Sequence, residues 1–165
     1  MLIVVFSILY GVISWRFRYW GEMVTYLGMS MPMAIWAAVI WFRNPSEENE
    51  DAVKIRVITK FHWGILSVLS LIVSVVFYFL LKWFKAPNLF VSTLSITTSF
   101  FAASLTLLRS SYFAFFYAMN DLILIILWVL AAIKDPVYIP VIVNFMIFFI
   151  NDMYGFISWK HREKR

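Results

Sequence analysis

The sequence predicts an all-α membrane protein, a polytopic helix bundle with about six transmembrane helices in a single domain over residues 1–165. Of its residues, 63% are hydrophobic and 14% are charged, whereas ordinary soluble domains have about 45–50% and about 25%. A soluble fold of this size would leave large apolar patches facing water, so the surrounding solvent is expected to be lipid. Charges, prolines and turn residues also divide the chain into six apolar stretches.

A transmembrane helix needs about 20 mostly apolar residues. The predicted spans are 1–15, 22–42, 61–81, 88–108, 112–133 and 137–159, followed by a basic tail at 160–165. Pro32 lies inside the second span and is expected to kink it. The polar segment 43–60 carries the acidic run 47–51 and is the only long hydrophilic stretch, so we expect it to join two halves of the bundle.

The distribution of lysine and arginine predicts the orientation. With six spans both termini share one side, and that side has four of these residues in segment 43–60, one at Arg109 and four in the tail. The opposite side has only Arg16, Arg18, Lys82, Lys85 and Lys134. By the positive-inside rule, both ends and the 43–60 loop are expected in the cytoplasm. Tryptophans at predicted span ends are typical of membrane interfaces; these are Trp15, Trp20, Trp41, Trp83 and Trp159.

The first span is unusually short. It starts at Met1 without a polar flank and is about 22 Å long as a helix, against a hydrocarbon core of about 30 Å. We expect that a segment upstream is missing from this form of the chain. A signal peptide is less consistent with the sequence, because no basic region precedes the span and no small-residue cleavage pattern follows it.

Polar residues inside two spans are the candidate substrate-binding residues, because buried polar groups in a bilayer are costly and usually functional. In the fifth span they are Tyr117, Asn120, Asp121 and Trp128. In the sixth span they are Asn144, Phe148, Asn151 and Tyr154, which follow the spacing of a single helix face. Rings that stack and amides that donate and accept suit a flat, hydrogen-bonding ligand. Alternatively, the amides could only hydrogen-bond between helices.

Other polar positions have simpler interpretations. Asp152 is expected to face interfacial water, and His62 is expected to lie solvated at an interface. A small-residue stripe in the fourth span predicts close helix packing; it comprises Ser92, Ser95, Ser99, Ala102, Ala103 and Thr106.

Several classes of function are not expected. The absence of cysteine excludes disulfides, thiolate metal sites and cysteine nucleophiles. No metal site or cofactor is predicted, and the basic residues fit orientation better than nucleic-acid binding. Asp121 and Asp152, the acidic candidates for an intramembrane catalytic pair, are expected at different depths, so an enzyme is not predicted.

Two stretches carry a family resemblance. Residues 144–160 read NFMIFFINDMYGFISWK, and the region from Tyr19 contains YWGEM, Met31-Pro32-Met33, Trp41 and Asn44. Together, in this order, they resemble the last helix and the Leu-Pro-Met helix of the PnuC family of nicotinamide riboside transporters. Tyr117 and Asp121 fall where that family often has Trp and Asn, which leaves related nucleosides or thiamine-like ligands open.

The resemblance implies two three-helix repeats joined by a linker helix, as in the SWEET transporters. On this mapping 1–42 supplies helices two and three of the first repeat, 61–83 is the linker helix and 88–159 is the second repeat. It further implies a transporter of the cell membrane that facilitates uptake of a nicotinamide riboside-like substrate by alternating access, from a site between the repeats. Self-association into a homo-oligomer is left open. The alternatives are a non-transporting membrane subunit or scaffold, and an ion-coupled solute carrier that uses Asp121.

Overall fold

The computed structural model of the protein describes residues 2–16, 18–45 and 53–163. Within these ranges the chain is a bundle of six apolar helices. They are α1 (Leu2–Arg16), α2 (Trp20–Phe42), α3 (Lys60–Trp83), α4 (Leu89–Leu107), α5 (Phe113–Ala132) and α6 (Ile139–Glu163). The acidic run 47–51, Met1, and the last tail residues Lys164 and Arg165 lie outside the described residues.

The helix lengths confirm the predicted all-α membrane class. Five helices, α2 to α6, are long and apolar enough to cross a bilayer, and α1 is a shorter apolar helix of 15 residues. Each helix begins and ends within two residues of a predicted span, except that α6 continues four residues beyond its predicted end. The agreement arises because runs of apolar residues bounded by charges and turns set both ends. The chain is therefore a multi-pass membrane protein.

The second helix is not regular along its length. Its residues Thr25–Ser30 form a π-helical section between the α-helical sections Trp20–Val24 and Met31–Phe42. Pro32 is the second residue of the last section, and a proline cannot donate a backbone hydrogen bond to the carbonyl of the residue four before it, here Gly28. The predicted irregularity at Pro32 is present, and it takes the form of a wider helical turn just before the proline rather than a simple kink.

The helices pack as two groups. The helices α1 and α2 pack against each other, and α4, α5 and α6 pack in sequence order, while α4 also contacts α2. The small-residue stripe of α4 is buried, with Ala102 at 0% and Ser99 at 3% exposure, which confirms its predicted packing role. The helix α3 packs mainly on α4 and leaves most of its apolar side chains exposed.

Loop contacts define the two ends of the bundle. At one end the backbone N–H of Arg56 donates to the carbonyl of Arg109 at 3.0 Å, and the Ser111 hydroxyl donates to Glu163 at 2.7 Å. We call this the basic end, because it brings together Arg56, Arg109 and Lys160. At the opposite end the rings of Tyr19 and Tyr138 meet, with centroids 5.8 Å apart.

Candidate functional site

A cavity of about 320 Å³ lies between the α1–α2 pair and the α4–α6 group. Its volume is in the range of small-molecule sites, about 300–1,000 Å³. The helix α3 contributes no lining residue among those described. The lining residues are Phe6, Ser7, Tyr26, Ser30, Trp41, Ser99, Phe113, Tyr117, Asn120, Asp121, Phe148, Asn151, Asp152 and Trp159.

The amide of Asn120 is held in one orientation by α4. Its Oδ1 accepts hydrogen bonds from the Ser95 hydroxyl at 3.1 Å and the Thr98 hydroxyl at 3.0 Å. Because the oxygen already accepts these two bonds, the amide NH₂ group faces the cavity and Tyr26. Tyr26 belongs to α2 and contacts Asn120. This contact joins the two helix groups at the cavity, so Asn120 has a packing role and also lines the space for a ligand.

Two carboxyl groups lie side by side in the cavity wall. Asp121 on α5 and Asp152 on α6 contact each other, and the Asn151 amide donates to Asp152 at 3.4 Å. Asp121 is only 5% exposed, and its Oδ2 has no hydrogen-bond partner in the described part of the chain. Such a buried, unpartnered oxygen is costly, which indicates that a ligand or water meets it.

Three aromatic rings border the cavity at the basic end. The rings of Trp41 and Trp159 are 5.3 Å apart between centroids, and Phe113 packs edge-on against Trp159 at 4.8 Å. The Trp41 indole N–H donates to the carbonyl of Thr106 at 2.9 Å, which ties α2 to α4 at this end. Trp41 and Trp159 were expected as interface anchors, but their rings turn inward and line the cavity.

The opposite end is closed by a thicker layer of aromatic side chains. The Trp128 indole N–H donates to the Tyr10 hydroxyl at 2.7 Å, and these two residues are 0% and 3% exposed. Tyr19 and Tyr138 cover Trp128, with ring centroids at 4.8 and 5.3 Å. We call Tyr10, Tyr19, Trp128 and Tyr138 the opposite-end cluster. It separates the cavity from the surface at that end.

The structure brings five of the eight candidate binding residues to the cavity. Those five are Tyr117, Asn120, Asp121, Phe148 and Asn151. Trp128 lies outside it, in the opposite-end cluster.

Asn144 and Tyr154 are exposed, Tyr154 at 73%, and neither lines the cavity. The inward stripe of α6 runs through Phe145, Phe148 and Asp152, and Tyr154 lies about 200° around the helix from Asp152. The predicted single stripe on α6 is therefore wrong at both ends.

The expectations for Asp152 are also corrected. Asp152 lines the cavity instead of facing only interfacial water, and it lies at the same depth as Asp121. The two depths agree because α5 begins and α6 ends at the basic end. Asp121 lies eight residues after Phe113, and Asp152 lies eleven residues before Glu163, so both are at a similar distance from that end.

Several lining residues were not singled out from the sequence. Ser7 and Ser30 are single hydroxyls in apolar spans, and Tyr26 and Phe6 are aromatic residues like many others in the chain. The sequence offered one usable signal, the helix irregularity expected at Pro32, because Tyr26 and Ser30 both belong to the π-helical section that precedes this proline. Among the residues that the structure describes, no group of three His, Asp or Glu side chains could hold a metal ion.

A helix bundle that buries a lined cavity between two helix groups inside a membrane defines a class of polytopic proteins with an internal ligand site. Comparison with known proteins assigns the chain within that class. Residues 1–161 match the family model described as nicotinamide mononucleotide transporter. The chain belongs to this family.

A curated relative and a solved structure agree with the assignment. The chain is 24% identical to the nicotinamide riboside transporter PnuC of Neisseria mucosa over 165 residues, which cover 95% of this chain and 61% of that protein. The chain thus spans less than two thirds of this relative. The crystal structure of the vitamin B3 transporter PnuC superposes with a TM-score of 0.79 at 21% identity, covering 96% of this chain and 69% of the other. The fold is shared.

Proposed function

We propose that this chain belongs to a transporter that carries nicotinamide riboside or a closely related nucleoside across the cell membrane by facilitated diffusion. The observation that carries the proposal is the cavity between the two helix groups, lined by aromatic rings and by the amides of Asn120 and Asn151. Stacking on rings and hydrogen bonds to amides are the contacts that a flat carboxamide-bearing ring and a ribose require. The names of the matched relatives point to the same substrate class.

The charges of the cavity favour the riboside over its phosphorylated form. Among the described residues that line the cavity, none is basic, and two, Asp121 and Asp152, are acidic. Phosphate groups in proteins are usually held by Arg, Lys or helix N-termini. An anionic mononucleotide would meet two carboxyl groups without a compensating cation.

The arrangement of the two ends supports alternating access. One end of the cavity is bordered by three rings, Trp41, Phe113 and Trp159, and the other is closed by the buried opposite-end cluster. Rocking of α1–α2 against α4–α6 would open one end as the other closes. In this proposal α1–α2 belong to the first repeat, α4–α6 form the second repeat, and α3 is the linker. The basic end and the C-terminus face the cytoplasm.

Uptake into proteoliposomes tests the proposal. Labelled nicotinamide riboside should enter vesicles that hold the wild-type chain, without dependence on a proton or sodium gradient, and unlabelled riboside should compete. Asn120→Ala should lower uptake at least about fivefold, because removal of a buried hydrogen-bonding partner costs about 1–3 kcal/mol.

Asn144→Ala is the matched control, since this asparagine is exposed and does not line the cavity, and it should leave uptake unchanged. Equal uptake by Asn120→Ala and wild type, or no uptake by a wild-type chain whose helicity and thermal unfolding show that it is folded, would contradict the proposal. Uptake that requires an ion gradient would point to a coupled carrier instead.

A further inference from the structure

The carboxyl pair in the cavity wall has no counter-ion among the described residues. Asp121 and Asp152 come from neighbouring helices and contact each other within the cavity lining. Within the described part of the chain, the one other side chain that donates a hydrogen bond to this pair is Asn151, whose amide lies 3.4 Å from Asp152 Oδ1. Two carboxyl groups this close in a poorly solvated site cannot both be ionised without strong repulsion, and a positive charge beside them relieves that repulsion.

Other lining groups independently indicate a ligand. The hydroxyls of Ser7 and Ser99 are 0% and 3% exposed, they border the same cavity, and neither has a hydrogen-bond partner in the described structure. Together with Asp121 Oδ2, three buried oxygens face one space without a partner. Buried polar atoms are normally satisfied, so these three are expected to acquire partners when the site is filled.

The aromatic rings that line the cavity also favour a positively charged ligand. The faces of Trp, Tyr and Phe rings are electron-rich and attract cations within about 6 Å of the ring centre. Trp41, Trp159 and Tyr26 border the cavity that also holds the carboxyl pair. A flat aromatic cation would therefore stack on rings that favour its charge while its charge faces the two carboxyl groups.

We propose that Asp121 and Asp152 together select a ligand whose flat ring carries a permanent positive charge over a neutral ring of the same size and shape. The inference rests on the proposed function, and it adds the property of the substrate that this pair recognises. Nicotinamide riboside, whose pyridinium ring is cationic, is such a ligand. Its reduced form, with a neutral dihydropyridine ring and the same carboxamide and ribose, is the matched neutral probe.

Binding measurements on the purified full chain in detergent test the selection. Wild type should bind nicotinamide riboside at least tenfold more tightly than reduced nicotinamide riboside. In the double variant Asp121→Asn/Asp152→Asn, which keeps the shape of both side chains, the ratio of the two affinities should fall to near one, with binding of the neutral form retained. Asp135→Asn removes a carboxylate at an exposed turn outside the cavity, and it should leave the ratio unchanged.

The outcomes separate charge selection from a structural role. Equal wild-type affinities for the two forms, or an unchanged ratio in the double variant, would overturn the proposal. A double variant that loses both ligands together with thermal stability would do so as well, since the pair would then only support the fold.

If the folded wild type binds neither riboside, the proposed function fails, and the charge selection is tested separately. The probes are then thiamine, another flat aromatic cation, and neutral 3-deazathiamine. Preference for thiamine that the double variant abolishes would support the selection. Absence of such a preference would overturn it.

Discussion

Two asparagines in neighbouring spans, Asn120 and Asn144, have opposite environments. Asn120 is 3% exposed and accepts two hydrogen bonds from α4, whereas Asn144 lies on the exposed side of α6. Both are polar residues among apolar ones, so composition alone does not separate them. Their surroundings do: α4 covers Asn120, whereas at the level of Asn144 the buried position of α6 is the neighbouring Phe145, which is 1% exposed.

Trp128 is expected to stabilise the fold without contributing to ligand binding. Trp128→Phe removes the indole N–H that donates to Tyr10 and leaves a buried hydroxyl without its partner. It should lower the free energy of unfolding by about 1–3 kcal/mol, seen as a lower midpoint of thermal unfolding in detergent. Affinity for the riboside should stay within about twofold, because Trp128 does not line the cavity.

Trp36→Phe is the matched control for this substitution. Trp36 is 67% exposed on α2, so the same change there should leave the unfolding midpoint nearly unchanged. Equal midpoints for the two variants would show that the bond between Trp128 and Tyr10 adds no stability. A Trp128 variant that keeps its stability but loses the ligand would place Trp128 in the binding site instead.

At the scale of single residues, sequence reasoning identified polar groups better than it placed them. Tyr117, Asn120 and Asp121 were singled out because polar side chains are rare inside spans, and all three line the cavity. Glu22, taken only as the start of a span, is 4% exposed. Burial depends on which neighbouring helix covers each face, and one sequence does not contain that information.

At the scale of helices, the sequence predicted the bounds of the elements better than it predicted the burial of single residues. The reason is that the length of an apolar run is a local property of the sequence. The six spans follow from such runs and from the charges and turn residues between them. The π-helical section Thr25–Ser30 could not be predicted in form. Pro32 indicates that the helix is perturbed, but packing against α1 and α4 determines whether it forms a kink or a wider turn.

The contact between α1 and α2 depends on Gly11. A methyl group added at Gly11 would lie 2.5 Å from Cγ of Leu27, too close for a branched side-chain carbon to avoid easily. Gly11→Ala should therefore destabilise the protein by about 1–3 kcal/mol, the usual cost of overpacking. A lower midpoint of thermal unfolding is the expected result.

Gly64→Ala on α3 is the corresponding control. No atom lies within 4 Å of the methyl group it would add, and alanine has a higher helix propensity than glycine. This variant should be as stable as wild type or slightly more so. If Gly11→Ala is equally stable, α1 and α2 do not pack as closely as described.

At the scale of the whole molecule, the two ends of the bundle differ in their number of lysines and arginines. Arg43, Arg56, Arg109 and Lys160 lie at the basic end, which the bonds from Arg56 to Arg109 and from Ser111 to Glu163 hold together. Counting spans in the sequence assigned these lysines and arginines to one side of the membrane, and in the structure they lie at one end of the bundle. Because positively charged loops are retained in the cytoplasm, the basic end should face inward, and the opposite-end cluster should then close the cavity toward the outside.

Single cysteines can determine this orientation directly, because the chain has no cysteine of its own. Lys134→Cys lies in the exposed turn after α5 at the opposite end, and His161→Cys lies exposed in the last turn of α6 at the basic end. In intact cells a membrane-impermeant maleimide should label Lys134→Cys, and it should label His161→Cys only after permeabilisation. The wild-type chain should remain unlabelled in both conditions. Labelling of His161→Cys from outside, with Lys134→Cys protected, would reverse the orientation, and the opposite-end cluster would then close the cavity toward the cytoplasm.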